Sequence, residues 1–385
     1  MRSDVVFLRG DSAVLQLKAL GGTYESLIPY FEVPLNELVS GAGGCYYELA
    51  GSGADWRPLL VNPGGHDDRG HHFHPEEELF NEVIQSYRYR APYFISAKGI
   101  YHFLNCVSLY FSSFLRDKAV YDYYFWNIYL PDRSDPEVRR RIRVAIQRRY
   151  PDYVLIRRGI PAIERGRVEG ERSIRFRYKQ PLLWSPPGAQ SPIAGQQDGL
   201  GSALKRDWAR IKKSDYKVVS FKDHEGEISP SELRKFYQDM YLGRPDGQPF
   251  DYSLQYYKDQ IQNRSDGWYL IMKNKKIYGY WTCHVDEKLI SVGHGGCDKS
   301  LEDWHEIYRI LYAYLFSIGR ELKIPMYLGG GANQYKENRR AKAHWLYYQV
   351  WFHHLPLNRQ IIWMSLVFLY WIQRRIKRAD GVRSV

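Results

Sequence analysis

The sequence predicts an α/β protein in which mixed sheets are flanked by helices, with two domains in tandem. Three observations carry this. Segments of helical and strand periodicity alternate along the chain, as they do in layered α/β architectures. A proline- and glycine-rich stretch from Pro181 to Gly201 interrupts the alternation at mid-chain. The length, 385 residues, exceeds what one hydrophobic core ordinarily serves.

In the first half, Cys45-Tyr-Tyr-Glu-Leu and Trp56-Arg-Pro-Leu-Leu-Val read as a hairpin around Gly51-Ser-Gly. A helix is expected from Pro75-Glu-Glu-Glu, because proline suits a first turn and carboxylates suit the positive helix end. Ile100 to Leu115 reads as a second helix, and the aromatic run Tyr121 to Leu130 as a strand. Pro136-Glu-Val-Arg-Arg-Arg opens a basic helix ending near Tyr150, and Tyr153-Val-Leu-Ile follows as a buried strand. Residues 1–185 are thus expected to form an N-terminal α/β domain, with 186–201 as a linker or loop.

The second half is more regular. A basic amphipathic helix at Ala203 to Lys213 carries Leu204, Trp208 and Ile211 on one face. A strand at Tyr216 to Phe221 leads to a capped helix over Ser229 to Tyr241. Strands beginning at Gly267, Ile277 and Leu289 are joined by Asn274-Lys-Lys and Asp286-Glu-Lys, which makes an antiparallel meander. Trp304, Ile307, Leu311, Leu315 and Ile318 then mark an amphipathic helix docked on that sheet. Ile324-Pro-Met-Tyr-Leu re-enters the sheet and runs into Gly329-Gly-Gly, and His344 to Phe352 is expected to close it. The domain spans 202–354, and 355–385 forms a C-terminal amphipathic basic helix.

That order of elements resembles the GNAT acyltransferase fold. More narrowly, residues 200–352 are similar to the C-terminal half of the Fem family of peptidoglycan aminoacyltransferases and its FemAB-like acetyltransferase relatives. The likeness rests on Lys205-Arg-Asp-Trp-Ala-Arg-Ile-Lys-Lys, on Trp281 through Asp298, and above all on Tyr327-Leu-Gly-Gly-Gly-Ala-Asn-Gln-Tyr-Lys. It implies transfer of an acyl or aminoacyl group to an amine, forming an amide. The donor would be aminoacyl-tRNA or acyl-CoA with no bound cofactor, and the acceptor an amine-bearing small molecule, peptide or cell-wall precursor. Lys336 beside Tyr335 would stabilise the charge that acyl transfer develops on the carbonyl oxygen. His294, between two glycines at a strand end, is a candidate general base. Gly329, Gly330, Gly331, Asn333, Arg339 and Arg340 would contact donor or acceptor, the glycines by letting the backbone approach closely. Two passages depart from the family. Glu337-Asn-Arg-Arg follows Lys336 where an aromatic residue and glycine are usual. Gly293-His-Gly-Gly-Cys-Asp stands where CoA-using members carry an arginine- and glycine-containing pyrophosphate loop, which leaves both donors open.

A net charge of +12 favours an anionic partner. Lys205, Arg206, Arg210, Lys212 and Lys213 form a candidate nucleic-acid face for tRNA. The arginines from Arg139 to Arg167, interleaved with tyrosine, are a second such surface. The apolar run Ile361 to Ile372, followed by Arg374, Arg375, Lys377 and Arg378, reads as a core or interfacial helix that would rest on an anionic membrane. The second functional reading is therefore a non-catalytic RNA- or membrane-surface-binding module on a degenerate GNAT scaffold. Four cysteines without a CxxC pair argue against a disulfide scaffold or zinc knuckle and for the cytoplasm, with peripheral contact at the inner face of the membrane. His66, His71, His72 and His74 crowd Asp67 and Asp68, but without the sequence context of a metal centre they read as a polar surface loop, so no metal is expected.

Overall fold

The computed structural model describes residues 4–40, 42–64, 118–122, 134–161, 173–179, 182–187, 201–224, 228–241, 251–262, 267–287, 289–329, 333–344 and 346–379. The predicted helices at Pro75 and at Ile100 to Leu115, the His66–His74 loop and most of the Tyr121–Leu130 run lie outside them.

The first half contributes β1 (Val6–Leu8), α1 (Gly10–Leu20), α2 (Pro29–Glu32), α3 (Leu35–Leu38), β2 (Tyr46–Ser52), β3 (Asp55–Asn62) and β4 (Ala119–Asp122). It continues with α4 (Pro136–Arg149), β5 (Val154–Pro161), β6 (Ile174–Lys179) and β7 (Leu182–Trp184). The start of α4 is fixed locally: Asp135 Oδ1 accepts from the amides of Glu137 at 2.8 Å and Val138 at 3.3 Å, and Pro136 occupies the first turn. The second half follows with α5 (Ser202–Lys213), β8 (Lys217–Ser220), α6 (Pro230–Tyr241), α7 (Leu254–Gln262), β9 (Trp268–Lys273), β10 (Lys276–Val285) and β11 (Ile290–Cys297). Then come α8 (Trp304–Leu322), β12 (Met326–Tyr327), α9 (Asn333–Glu337), β13 (Lys342–Ala343), β14 (Leu346–Trp351) and α10 (Leu357–Ala379).

These strands build two seven-stranded mixed sheets, ordered β1-β2-β3-β4-β5-β14-β6 and β8-β9-β10-β11-β12-β7-β13. The two have one plan. Four antiparallel strands are followed by a parallel step across a helix, α4 between β4 and β5 and α8 between β11 and β12. The next position in each sheet is then filled by a strand from the other half of the chain. The molecule is a structural tandem.

This exchange corrects the expected place of one strand. Residues 346–351, expected to close the second sheet, lie instead between β5 and β6 of the first. Leu182–Trp184, inside the stretch read as a loop, joins β12 and β13 of the second sheet. Leu346 pairs with Lys179 and Ala343 with Leu182, so one antiparallel register runs from the first sheet into the second. Chain-local patterning carries no information about such a partner, because pairing in a sheet depends on what lies alongside rather than on what precedes.

Three apolar clusters follow from the layers. α4 covers one face of the first sheet, setting Ile142 and Ile146 against Leu59, Val61, Val120 and Leu155. α8 covers one face of the second, with Ile307, Leu311 and Leu315 over Ile271, Trp281, Ile290 and Val292. The remaining faces share one core, in which Leu49, Leu60 and Ile156 join Trp268, Leu270 and Tyr280 with residues of α1, α6, α7 and α10. Backbone bonds between the halves reinforce it: Ser40 N–H donates to Asp251 O at 2.9 Å and Ser253 N–H to Leu38 O at 2.8 Å. Among the described residues no helix is long and apolar enough to cross a membrane, and no cluster of histidine, cysteine and carboxylate side chains could hold a metal.

Candidate active site

In the second sheet, β11 outruns its parallel neighbour. It pairs with β12 only at Ile290–Met326 and Ser291–Tyr327, yet continues to Cys297. The chain beyond β12 turns toward β7 instead, where Leu328 N–H donates to Leu182 O at 2.8 Å. Among the described residues β11 is therefore left without a strand partner on this side past the carboxyl end of β12, close to the position where open α/β sheets accept ligands. Gly329, just after β12, has φ +65, a left-handed turn that glycine adopts without strain.

Lys336, from α9, holds that turn. It is fully buried, and its Nζ donates to Leu328 O at 2.7 Å and to Gly329 O at 3.3 Å while lying 5.8 Å from the centre of the Tyr312 ring. Arg339 is held in the same way. Its Nε donates to Asp207 of α5 at 2.6 Å, its Nη1 to Tyr335 O at 2.6 Å, and the guanidinium stacks 3.3 Å over the Tyr335 ring. That ring also contacts Tyr308 and Tyr312 of α8. The Tyr335 hydroxyl is buried without a hydrogen-bond partner, and burial raises its pKa far above the usual tyrosine value. Arg340 is exposed with φ +67, Asn333 begins α9, and Gly330 and Gly331 lie outside the described residues.

His294 lies on β11, past the last residue that pairs with β12. The β10–β11 register shifts between Trp281 and Cys283, so Thr282 faces both Gly293 and His294 in a β-bulge. Bulges re-aim a side chain and recur beside active sites. Gly293 makes this one possible, since a Cβ there would collide with Thr282 Oγ1. Thr282 Oγ1 donates to His294 O at 2.8 Å and lies 3.4 Å from Nδ1, and the Tyr256 hydroxyl lies 3.5 Å from Nε2. The imidazole stacks on Tyr252 at 4.8 Å, with Tyr237, Tyr256, Trp268 and Tyr280 around it. Burial among these rings pushes its pKa down to about 3, so it is neutral at physiological pH.

The structure does not bring the three predicted catalytic residues together. Lys336 and Tyr335 pack with α8 and α5, whereas His294 packs with α6 and α7 on the opposite face of the same sheet. The aromatic surround of His294 escaped the sequence reading, since its members are dispersed from Tyr237 to Tyr280. A signal was present in the three glycines of the Gly293–Cys297 segment. Glycine inside a strand marks a bulge or a close backbone approach, and here a Cβ at Gly296 would strike the backbone of Phe236 in α6. Lys205, Arg206, Arg210, Lys212 and Lys213 are all exposed on α5, whose Leu204 and Asp207 point inward.

No family model matches the sequence, and no curated protein matches it. Solved structures of similar outline include lysylphosphatidylglycerol synthetase C-terminal domains and GNAT-fold acetyltransferases, at low identity. L-PGS from Bacillus licheniformis is 14% identical with a TM-score of 0.41, the match covering 60% of this chain and 77% of that one. The C-terminal domain of a proposed lysylphosphatidylglycerol synthetase from Agrobacterium fabrum is 13% identical with a TM-score of 0.43, covering 62% and 79%. A GCN5-related N-acetyltransferase from Sphaerobacter thermophilus is 11% identical with a TM-score of 0.30, covering 90% and 95%.

Proposed function

We propose that this protein is an acyltransferase that forms an amide bond on an amine acceptor, where β11 parts from β12. The observation that carries the reading is the length of β11 beyond Ser291 that β12 leaves unpaired, with a neutral histidine set in a bulge within it. An unpaired strand edge offers N–H and C=O groups to an extended, amide-bearing chain. Amides aimed at a carbonyl oxygen also stabilise the charge that builds there as an amine attacks. In this reading the amine nitrogen bonds to the acyl carbon, and the C–S or C–O bond to the donor breaks. The leaving thiol or hydroxyl takes away the proton that the amine loses. His294 accepts a hydrogen bond from the amine and so orients its lone pair, a role that suits an imidazole too weakly basic to be charged. Lys336 acts through the carbonyls of Leu328 and Gly329, fixing the turn that leaves β12.

The donor is an acyl thioester or an aminoacyl-tRNA, as in the Fem-like reading of the sequence. The exposed cations of α5 favour the second, because Asp207 of that helix is tied through Arg339 to the segment carrying Lys336. Transfer of label from acyl-CoA and from charged tRNA to a panel of amines tests the reading. Label should move from one donor, and His294→Ala should slow transfer by about a hundredfold. Donors that keep their acyl group in the presence of every amine, or a His294→Ala variant as fast as the parent, would overturn it.

A further inference from the structure

The terminal helix α10 has two apolar faces, and only one serves the fold. Inward, Trp363 and Leu366 are buried, with Trp363 stacked 6.1 Å from Phe352 and Tyr370 edge-on to Phe176 at 5.1 Å. Outward, Leu357 is 69% exposed, Ile361 51%, Met364 45%, Phe368 59% and Trp371 51%. These five recur at alternating four- and three-residue steps, so they form one stripe along the helix. At 1.5 Å per residue the stripe is about 21 Å long. Large apolar side chains aligned at 45% exposure or more form a contiguous patch rather than the scattered exposure normal for a soluble surface.

The charge of the helix says what the stripe fits. Leu357–Ala379 contains no aspartate or glutamate, while Arg359, Arg374, Arg375, Lys377 and Arg378 are all cationic. Four of these cations, Arg374, Arg375, Lys377 and Arg378, follow Trp371 within seven residues of sequence. A second copy of α10 would offer no opposite charge for these groups, and helix pairing relies on complementary flanking charges. An anionic lipid surface supplies that charge, and each lysine or arginine near such a surface adds to the attraction. The inward face fixes α10 against the protein, so the helix can only lie along a bilayer. Tryptophan and phenylalanine at one end of the stripe suit the boundary between headgroups and acyl chains.

We propose that the outward stripe of α10 docks the protein flat on an anionic lipid bilayer. The proposal is independent of the acyl-transfer reading. The test is co-sedimentation of the full chain with phosphatidylcholine vesicles prepared with and without phosphatidylglycerol. Binding is expected to the vesicles containing phosphatidylglycerol and to weaken as salt rises. Phe368→Ser with Trp371→Ser should lower partitioning at least about tenfold, because each removes an inserting apolar side chain. Met364→Ser should lower it in the same direction by a smaller factor. Replacing Arg374, Arg375, Lys377 and Arg378 by glutamine should abolish the preference for phosphatidylglycerol. Thermal melting of each variant at the parent's temperature confirms that the fold is intact. Failure of the parent to bind either vesicle, or equal binding by parent and variants, would overturn the proposal. So would a concentration-dependent dimer in light scattering that Phe368→Ser with Trp371→Ser dissociates, since the stripe would then be a self-association seam.

Discussion

Arg339 lies with its Nε 2.6 Å from Asp207 Oδ2, both side chains buried, and joins the segment after α9 to the middle of α5. A charge pair removed from water depends on its partner, so loss of one member leaves the other uncompensated. Arg339→Ala is therefore expected to lower stability by about 3–5 kcal/mol in urea titration. Replacing the pair together, Asp207→Leu with Arg339→Met, should recover most of that loss. Additive losses from the two positions would show that the contact contributes little.

Lys336 divides two roles that a sequence cannot separate. As a clamp on the Leu328 and Gly329 carbonyls, it leaves buried acceptors behind when it is removed. Lys336→Met should then cost about 1–3 kcal/mol of stability, and Lys336→Arg should not restore it, because a planar guanidinium presents its donors differently. A Lys336→Met protein with unchanged melting but lost transfer would assign the ammonium directly to the reaction.

The imidazole of His294 titrates far below its ordinary value, near pH 3. Between its unfolded pKa of about 6.5 and that value, the unfolded chain binds a proton that the folded protein does not. Its contribution to stability is therefore full above about pH 6.5 and declines as pH falls, by at most about 1.4 kcal/mol per unit. His294→Phe removes this share, so its stability should fall less than the parent's between about pH 7 and about pH 4.5. Urea midpoints at the two pH values measure the difference, and identical slopes would mean that the ring is protonated readily.

Gly296 is where α6 meets β11 backbone to backbone. Gly296→Ala places a methyl against Phe236, and the helix must lift to admit it. Overpacking of this kind costs about 1–3 kcal/mol, occasionally more, and it should also disturb the Tyr237 ring that lies 5.6 Å from His294. Thermal melting together with the His294 ring resonances in NMR reads both effects.

What was legible in the sequence follows from range. β8 to β12 and α8 could be read in order, since their apolar residues recur at fixed local spacing and their turns carry Asn274 and Asp286. Lys336 could be noticed but not placed, because its partners are carbonyl oxygens of a turn eight and seven residues away. α7 was missed, its buried face consisting of Tyr256, Tyr257, Asp259 and Gln260, which carry no apolar helical stripe. The rings around His294 come from α6, β9, β10 and the segment around α7, and no window of sequence contains them together. The abundance of tyrosine was visible, and its use in one cluster was not.

The paired register running from Ile174 to Leu183 against Lys342 to Val350 has a consequence for how the molecule is born. The sixth strand of the first sheet is residues 346–351. A ribosome must therefore translate as far as Trp351 before the sheet begun at Val6 can be completed. Until then β5 presents an open edge, the kind of surface on which nascent chains aggregate. The N-terminal half, first to emerge, is the last to be finished.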